Sequence, residues 1–177
     1  MLILKFGLNK GWKGKVLEKL TGLKGDNKQA PNGLGFELKS ISYKKLKNGK
    51  LVPRETITIT MINPAVLKET SFFKSHCWAK LKSMIFCAVM WHGKNSVNAE
   101  LLEVKSLDFL EEDDLIKEIK ADYDFIREKL AKQGFENLTG KDGKWIQART
   151  KGPGHGSVSR AFYARKALVK KIFEIGE

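Results

Sequence analysis

Two ionisable residues, Glu37 and Lys39, lie two positions apart within GLGFELKSI, a run that otherwise resembles an apolar β-strand. Residues two apart in a strand point to the same face of a sheet, so a carboxylate and an ammonium group would lie side by side. Such a carboxylate can hold Mg²⁺ together with substrate phosphate oxygens. The lysine can orient or deprotonate a water, or stabilise charge that develops on phosphorus. The pair fits phosphodiester hydrolysis, although ordinary strand surfaces also carry such ion pairs.

The whole chain carries an excess of positive charge. Its 177 residues include 33 Lys and Arg against 20 Asp and Glu, which gives a net charge of +13. This excess favours a polyanionic partner, and nucleic acid is the first candidate; a ribosomal or other RNA-binding protein would share the feature. The 42% hydrophobic content excludes a disordered tail. It predicts one well-cored domain over residues 1–177, which could be part of a longer enzyme.

Cysteine usage and apolar runs bear on the compartment. Cys77 and Cys87 are the only cysteines and show no metal-ligand spacing, so neither a disulfide framework nor a zinc site is predicted. A reducing, cytoplasmic setting is expected. The longest apolar run, MIFCAVMW at 84–91, is too short to span a bilayer. No membrane partner is therefore expected.

The candidate residues must be positioned by a mixture of helices and strands. Periodicity and turn signals predict an α/β or α+β fold with a mixed sheet. The Asn48-Gly49 pair favours a tight hairpin that joins the strands 34–43 and 55–62. Further strands are predicted at 82–91, 99–107 and 144–150, and helices at 11–23, 71–82 (a short helix or turn), 111–134 and 159–175.

Four blocks of sequence resemble, in order and spacing, the MutH-type endonucleases, a family of mismatch-repair MutH and MutH-like type II restriction enzymes that cut at GATC. The blocks are NKGWKGKVLEKLTGL (9–23), LGFELKSI (34–41), SHCWAKLK (75–82) and SRAFYARKALV (159–169). The stretch ELKSISYKKLKNGK, with TKG at 150–152, is more similar to the restriction-enzyme branch.

This resemblance implies a restriction-endonuclease-like PD-(D/E)xK fold, in which helices flank a mixed central β-sheet and DNA binds in a cleft. It implies Mg²⁺ as the cofactor, with Mn²⁺ as a substitute. The implied partner is double-stranded DNA, bound by a homodimer or by a two-domain assembly.

The resemblance also implies catalytic roles for individual residues. Glu37 and Lys39 match the E-x-K pair of the family, as metal ligand and catalytic lysine. Glu18, in VLEKL, matches a helical glutamate that supports the metal site. Lys82, the second lysine of AKLK, matches an active-site lysine beside the scissile phosphate. Each assignment has an ordinary structural alternative. Glu18 is also typical of a solvated helix face, and Lys82 is also typical of the start of a strand.

One position departs from the family pattern. The family has a metal-binding aspartate seven residues before the E-x-K glutamate, and here that position is Ala30. Loss of one of two carboxylates that share Mg²⁺ should cripple phosphoryl transfer. Three explanations are open: a disabling Asp-to-Ala substitution that traps substrate uncleaved, replacement of the ligand by Asp26 or Asn27, or a naturally inactive DNA-binding relative.

The DNA contacts implied by the resemblance lie near both ends of the chain. The loop 147–157 matches the recognition loop, where Arg149 is a candidate for bidentate hydrogen bonds to a guanine edge. An arginine–proline pair is expected there, and the sequence has Arg149-Thr150, so this loop departs from the pattern of mismatch-repair MutH. Tyr163 matches a tyrosine near the adenine whose methylation is sensed. The remaining predicted contacts are Lys10 and Gly11 in NKGW, Lys151 in the loop, and Arg160 among the phosphate-binding residues of the last helix.

The first functional hypothesis is therefore a Mg²⁺-dependent, sequence-specific double-strand endonuclease of the MutH-like type II restriction class, inactivated at Ala30. The second is a non-catalytic recognition module with the same fold. The third, an RNA-binding protein, predicts a preference for RNA over duplex DNA.

Overall fold

The strand that carries Glu37 lies inside a mixed α/β structure. The computed structural model describes residues 12–23, 35–92, 99–111, 113–152 and 158–174, and within them five α-helices and seven strands. The helices are α1 (Trp12–Leu20), α2 (Pro64–Glu69), α3 (His76–Leu81), α4 (Asp114–Gln133) and α5 (Lys166–Glu174). The strands are β1 (Glu37–Lys45), β2 (Leu51–Pro53), β3 (Ile57–Met61), β4 (Ser83–Met90), β5 (Leu101–Asp108), β6 (Ile146–Thr150) and β7 (Arg160–Ala164).

The first sheet has four strands in the order β2-β1-β4-β5. β1 and β4 run parallel, with Glu37 opposite Met84, while β2 and β5 pair antiparallel with their neighbours. β4 is a nearly continuous apolar run, as expected for a central strand covered on both faces. The predicted mixed sheet is confirmed, and so are the strands predicted at 82–91 and 99–107.

The hairpin at Asn48-Gly49 forms, but its returning strand was predicted wrongly. Gly49 has a φ of +85°, and the backbone N–H of Leu46 donates to Lys50 O over 2.9 Å. The strand that returns from this turn and pairs antiparallel with β1 is β2. It has three residues, which are too few to show an alternating pattern. β2 ends at Pro53, which has no N–H to donate. The alternating segment 55–62 instead supplies β3, which belongs to a second sheet.

The second sheet is antiparallel, with the order β3-β7-β6. The helix predicted at 159–175 was wrong in its first half, because RAFYA forms β7 and pairs on both sides with β3 and β6. These pairings outweigh the helical propensity of its alanines and arginine. The helix α5 begins only at Lys166.

One hydrophobic core joins the two sheets and the helices. Tyr123 of α4 stacks on Phe162 of β7 at 5.3 Å between ring centres, and Phe173 of α5 meets Phe86 of β4 at 6.2 Å. α4 is the longest helix among the described residues. It ends at Gly134, as predicted, and the φ of this glycine is +87°. Among the described helices, none has the length and apolar character needed to cross a membrane. The core fixes the start of β1 in a buried position.

Candidate active site

A buried carboxylate at the start of β1 is shared by two lysines. The Glu37 side chain is 2% exposed, and its Oε1 lies 2.6 Å from Lys39 Nζ and 3.2 Å from Lys80 Nζ. The two lysine side chains are 21% and 12% exposed. These three residues are called the Glu37 cluster below. The same-face geometry predicted for Glu37 and Lys39 is present.

The parallel pairing of β1 and β4 brings the third member into place. Because Glu37 lies opposite Met84, the start of β1 is next to the end of α3, which leads directly into β4. Ser75 caps α3, with Oγ accepting from Trp78 N over 3.1 Å and donating to Phe72 O over 2.6 Å. Trp78 and Leu81 anchor the helix in the core, which directs Lys80 at Glu37.

Among the described residues, the side chain of Lys82 has no hydrogen bond or ion pair with this cluster. Lys82 is exposed, it is the C-cap residue of α3, and its backbone N–H donates to Trp78 O over 2.8 Å. Of the two lysines at the end of α3, Lys80 contacts Glu37, and the sequence analysis did not assign it. Residues two apart in a helix project about 200° from one another. Choosing between the two lysines therefore depends on where α3 ends, which the pattern at 71–82 left open.

The second carboxylate oxygen of Glu37 is the unusual feature of the site. Oε2 is buried and has no hydrogen-bond partner within the described part of the chain. A buried acceptor without a partner costs free energy, so a ligand that coordinates this oxygen would be favoured. Carboxylate oxygen suits Mg²⁺, which often binds through one or two carboxylates and completes its shell with water and phosphate oxygens.

The donor set for such an ion is small. Over the described ranges, no group of three or more His, Cys, Asp or Glu side chains could hold a metal. Glu37 alone therefore fits the reduced role of one protein ligand beside substrate oxygens. Ala30, the position of the expected aspartate, lies outside the described residues, as do Asp26, Asn27, Lys10 and Gly11.

The field around the cluster is positive. Burial lowers the pKa of Lys39, and the like charges of Lys80 and Lys151 lower it further, whereas the carboxylate of Glu37 opposes the change. Lys151, the residue after β6, is thus one of the charges that lower the pKa of Lys39.

Glu18 has no such connection. α1 packs against β1, and Glu18 is half-buried there. Its backbone carbonyl accepts from Leu23 N over 2.9 Å. Within the ranges that the structure describes, no hydrogen bond or ion pair joins its carboxylate to the Glu37 cluster. Its supporting role at the metal site stays a prediction.

A second group of polar residues surrounds Arg149. Its guanidinium lies 5.1 Å from the centre of the Tyr163 ring, and its Nη1 donates to Thr56 Oγ1 over 3.3 Å. Tyr163 lies opposite Gln147, two residues from Arg149 on β6, so both side chains share one face. β6 and β7 remain connected past Thr150, since Lys151 N donates to Ser159 O over 2.8 Å. Arg149, Tyr163 and Thr56 are called the Arg149 group below. Thr56 was not predicted as a site residue.

Arg160 has a different environment from the one predicted. It lies on β7, and its guanidinium donates to three backbone carbonyls, those of Glu136 (2.8 Å), Leu138 (2.9 Å) and Val158 (3.2 Å). The placement on the last helix was wrong because that helix starts after β7. Arg160 connects two loops, and a phosphate contact for it stays a prediction.

The comparisons with known proteins bear on this geometry. A family model described as DNA mismatch repair enzyme MutH matches residues 23–120. The matched range contains the whole Glu37 cluster, Lys82 and position 30, whereas Glu18 and the Arg149 group, apart from Thr56, lie outside it. No curated protein matches the chain.

Proposed function

The chain belongs to the family of the DNA mismatch repair enzyme MutH, and on that premise we propose that it is a Mg²⁺-dependent endonuclease which cuts double-stranded DNA at a short specific sequence, as type II restriction enzymes do. Membership supports the endonuclease class and the DNA substrate. The observation that carries the proposal is the Glu37 cluster, a buried carboxylate with two lysines on one oxygen and, among the described residues, no partner on the other.

Each member of the cluster has a part in the proposed reaction. Glu37 and an aspartate at position 30 would hold Mg²⁺, which, when bound, supplies positive charge at the scissile phosphate. Lys39 orients the attacking water or takes its proton. Lys80 places a second positive charge where negative charge develops on phosphorus. We assign to Lys80 the role that the resemblance gave to Lys82, because Lys80 is the one that contacts Glu37.

Ala30 disables this chemistry in the chain as it stands. With one carboxylate in place of two, the ion is held weakly and its charge is poorly placed. The protein would still bind DNA, because its phosphate-contacting groups are unaffected. The same observation favours the second candidate function, a recognition module without catalysis.

Target recognition is proposed to lie with the Arg149 group. An exposed guanidinium that stacks on a tyrosine suits bidentate hydrogen bonding to a guanine edge. Thr150 and Lys151 extend this surface toward Lys39, and Lys10 and Gly11 would contact the backbone. The proposed site is GATC or a related sequence, cut in a cleft by a homodimer or a two-domain assembly in the cytoplasm.

The test is cleavage of a plasmid that carries many GATC sites, in Mg²⁺. Three proteins are compared: the chain as written, Ala30→Asp, and Ala30→Asn as a control of similar size without the charge. Discrete fragments from the aspartate variant alone would support the proposal, and their ends would give the target. If none of the three cuts but all bind one duplex sequence selectively, the recognition module is the better description.

A further inference from the structure

The turn between β1 and β2 carries a concentration of positive charge far from the Glu37 cluster. Four exposed lysines lie within seven residues and are called the hairpin patch: Lys44, Lys45, Lys47 and Lys50. The turn contains no acidic residue. Within the part of the chain that the structure describes, none of the four forms an ion pair, in contrast to the paired lysines of α4. Like charges this close repel one another, and an anionic partner would relieve that repulsion.

The backbone of the hairpin holds these lysines on a fixed frame. Leu46 N donates to Lys50 O and Gly49 N to Leu46 O, each over 2.9 Å, and Lys50 N donates to Asn48 Oδ1 over 3.2 Å. The frame is anchored at Tyr43, whose ring packs edge-on against Phe173 of α5 at 5.5 Å. The patch is thus presented by an ordered turn, which reduces the conformational entropy cost of binding.

Helix α5 extends the charge next to the hairpin. It packs beside β2, and its buried side chains face the core. Its exposed residues include Lys166, Lys170 and Lys171. Lys170 pairs with Glu174 over 3.1 Å, which leaves the helix with a net positive outer face. The hairpin and α5 therefore make one basic surface.

The distance of this surface from the Glu37 cluster follows from β1, because Glu37 and Lys45 lie at the two ends of that strand. The face that they share is buried between them, where Ile41 and Tyr43 belong to the core, so a duplex would contact the strand only at its two ends. At a rise of about 3.3 Å per residue, Lys45 lies roughly 26 Å from Glu37 along the strand. That length corresponds to about eight base pairs of duplex at about 3.4 Å each.

We propose that the hairpin patch binds the phosphates of the same DNA duplex outside the recognition site, about eight base pairs from the scissile phosphate. The inference rests on the proposed function, since it takes duplex DNA as the ligand of the Glu37 cluster. Lysines without base-reading geometry position the duplex and do not specify its sequence. The flank thus adds affinity without changing the target.

The test compares duplex length with the patch intact and removed. The triple variant Lys45→Gln, Lys47→Gln, Lys50→Gln removes three charges, and the control triple Lys68→Gln, Lys117→Gln, Lys132→Gln removes three exposed lysines of α2 and α4. Binding to labelled 10- and 30-base-pair duplexes centred on GATC is followed by fluorescence anisotropy, without Mg²⁺, across a salt series. The shorter duplex does not reach the hairpin.

We expect the hairpin triple to lose affinity for the long duplex only. The slope of log affinity against log salt should fall by roughly 0.9 for each phosphate that the variant no longer neutralises, so by about 2 to 3 for the three charges removed. The control triple should retain the length dependence. Equal binding of the long duplex by the two triples would overturn the inference and leave the proposed function intact.

Two further outcomes separate the other possibilities. If the unmodified protein binds neither duplex, the proposed function fails and this inference with it. If the unmodified protein, saturated with the short duplex, takes up an unlabelled second duplex and the hairpin triple does not, the patch binds DNA in trans. That result would overturn the assignment to the flank of the same duplex.

Discussion

Two buried carboxylates, Glu37 and Asp122, have opposite surroundings. Asp122, in α4, is 8% exposed, and both of its oxygens accept backbone N–H groups: Oδ1 from Lys144 (2.7 Å), and Oδ2 from Trp145 (2.6 Å) and Ile146 (2.9 Å). Glu37 is 2% exposed and has two side-chain ammonium groups on one oxygen and, among the described residues, nothing on the other.

The difference separates a carboxylate that is fully hydrogen-bonded within the fold from one to which the proposed function assigns a ligand. The turn around Asp122 is closed, and at Gly143, where φ is +80°, an added Cβ would lie 2.1 Å from Ile146 O. There is no room for another group. Glu37 has one oxygen without a partner among the described residues, and it lies beside two lysine ammonium groups. Burial alone therefore does not indicate function, whereas burial with incomplete satisfaction does.

The largest expected effect is on catalysis at Glu37. In the Ala30→Asp protein, Glu37→Gln should lower the cleavage rate about a thousandfold, because the metal's charge stabilisation is worth several kcal/mol and about 1.4 kcal/mol is tenfold in rate. Plasmid cleavage in Mg²⁺ measures this, with the exposed Glu69→Gln as a control. A Glu37→Gln protein that retains a tenth of the rate would break the distinction between the two carboxylates.

Asp122 should matter for stability instead. Asp122→Ala leaves three backbone N–H groups without their acceptor, and we expect the free energy of unfolding to fall by about 3 kcal/mol. Urea denaturation measures the change. At a temperature where the variant is folded, its DNA cleavage in the Ala30→Asp background should stay within a few-fold. A decrease below about 1 kcal/mol would show that the turn does not depend on this carboxylate.

The two lysines at the end of α3 give a matched pair of variants. In the Ala30→Asp background, Lys80→Met should slow cleavage by about ten- to a hundredfold, because it removes one positive charge from the phosphate site. Lys82→Met should change the rate by less than about threefold, since its side chain is exposed. The opposite result would restore to Lys82 the role that the family resemblance implies.

A third buried carboxylate, Asp142, should give the smallest effect. Burial by itself would raise its pKa, but Lys129 Nζ at 2.7 Å and Thr139 N at 2.6 Å hold that pKa below its ordinary value. A lowered folded-state pKa contributes stability above the unfolded-state pKa of about 3.9 and loses it as the pH falls through the folded-state value. The wild type should therefore lose about 1 kcal/mol more than Asp142→Asn on acidification. Urea titrations at several acidic pH values measure the difference, and parallel curves would refute it.

The local sequence pattern predicted most of the helices and strands. It failed where pairing with distant strands determines the conformation of a segment. β4 and α4 were found because a long apolar run and a periodic, capped helix are visible in the sequence. RAFYARKAL is compatible with strand and helix, and only the neighbours β3 and β6 select the strand for its first half. The hairpin partner was misassigned because three-residue β2 carries too little pattern.

The residues of the candidate site also divide into those that the local sequence pattern predicts and those that depend on tertiary structure. Glu37 and Lys39 could be predicted because a spacing of two fixes their shared face in any strand. Lys80 could not be distinguished from Lys82, since the choice depends on the last turn of α3. Asp122 gave no local signal, because its partners lie 22 to 24 residues away and are backbone groups. Thr56 likewise meets Arg149 across 93 residues.

The parallel pairing of β1 with β4 also has a consequence for folding. Glu37 and Lys80 are 43 residues apart in the chain and meet only when these two strands are aligned. Pairings of such high contact order form late, after local helices and hairpins. During synthesis, β1 cannot complete its pairing with β4 until the ribosome has released the chain through residue 90. A partly folded chain therefore has no assembled cluster, because Glu37 and Lys80 meet only once β1 and β4 have paired.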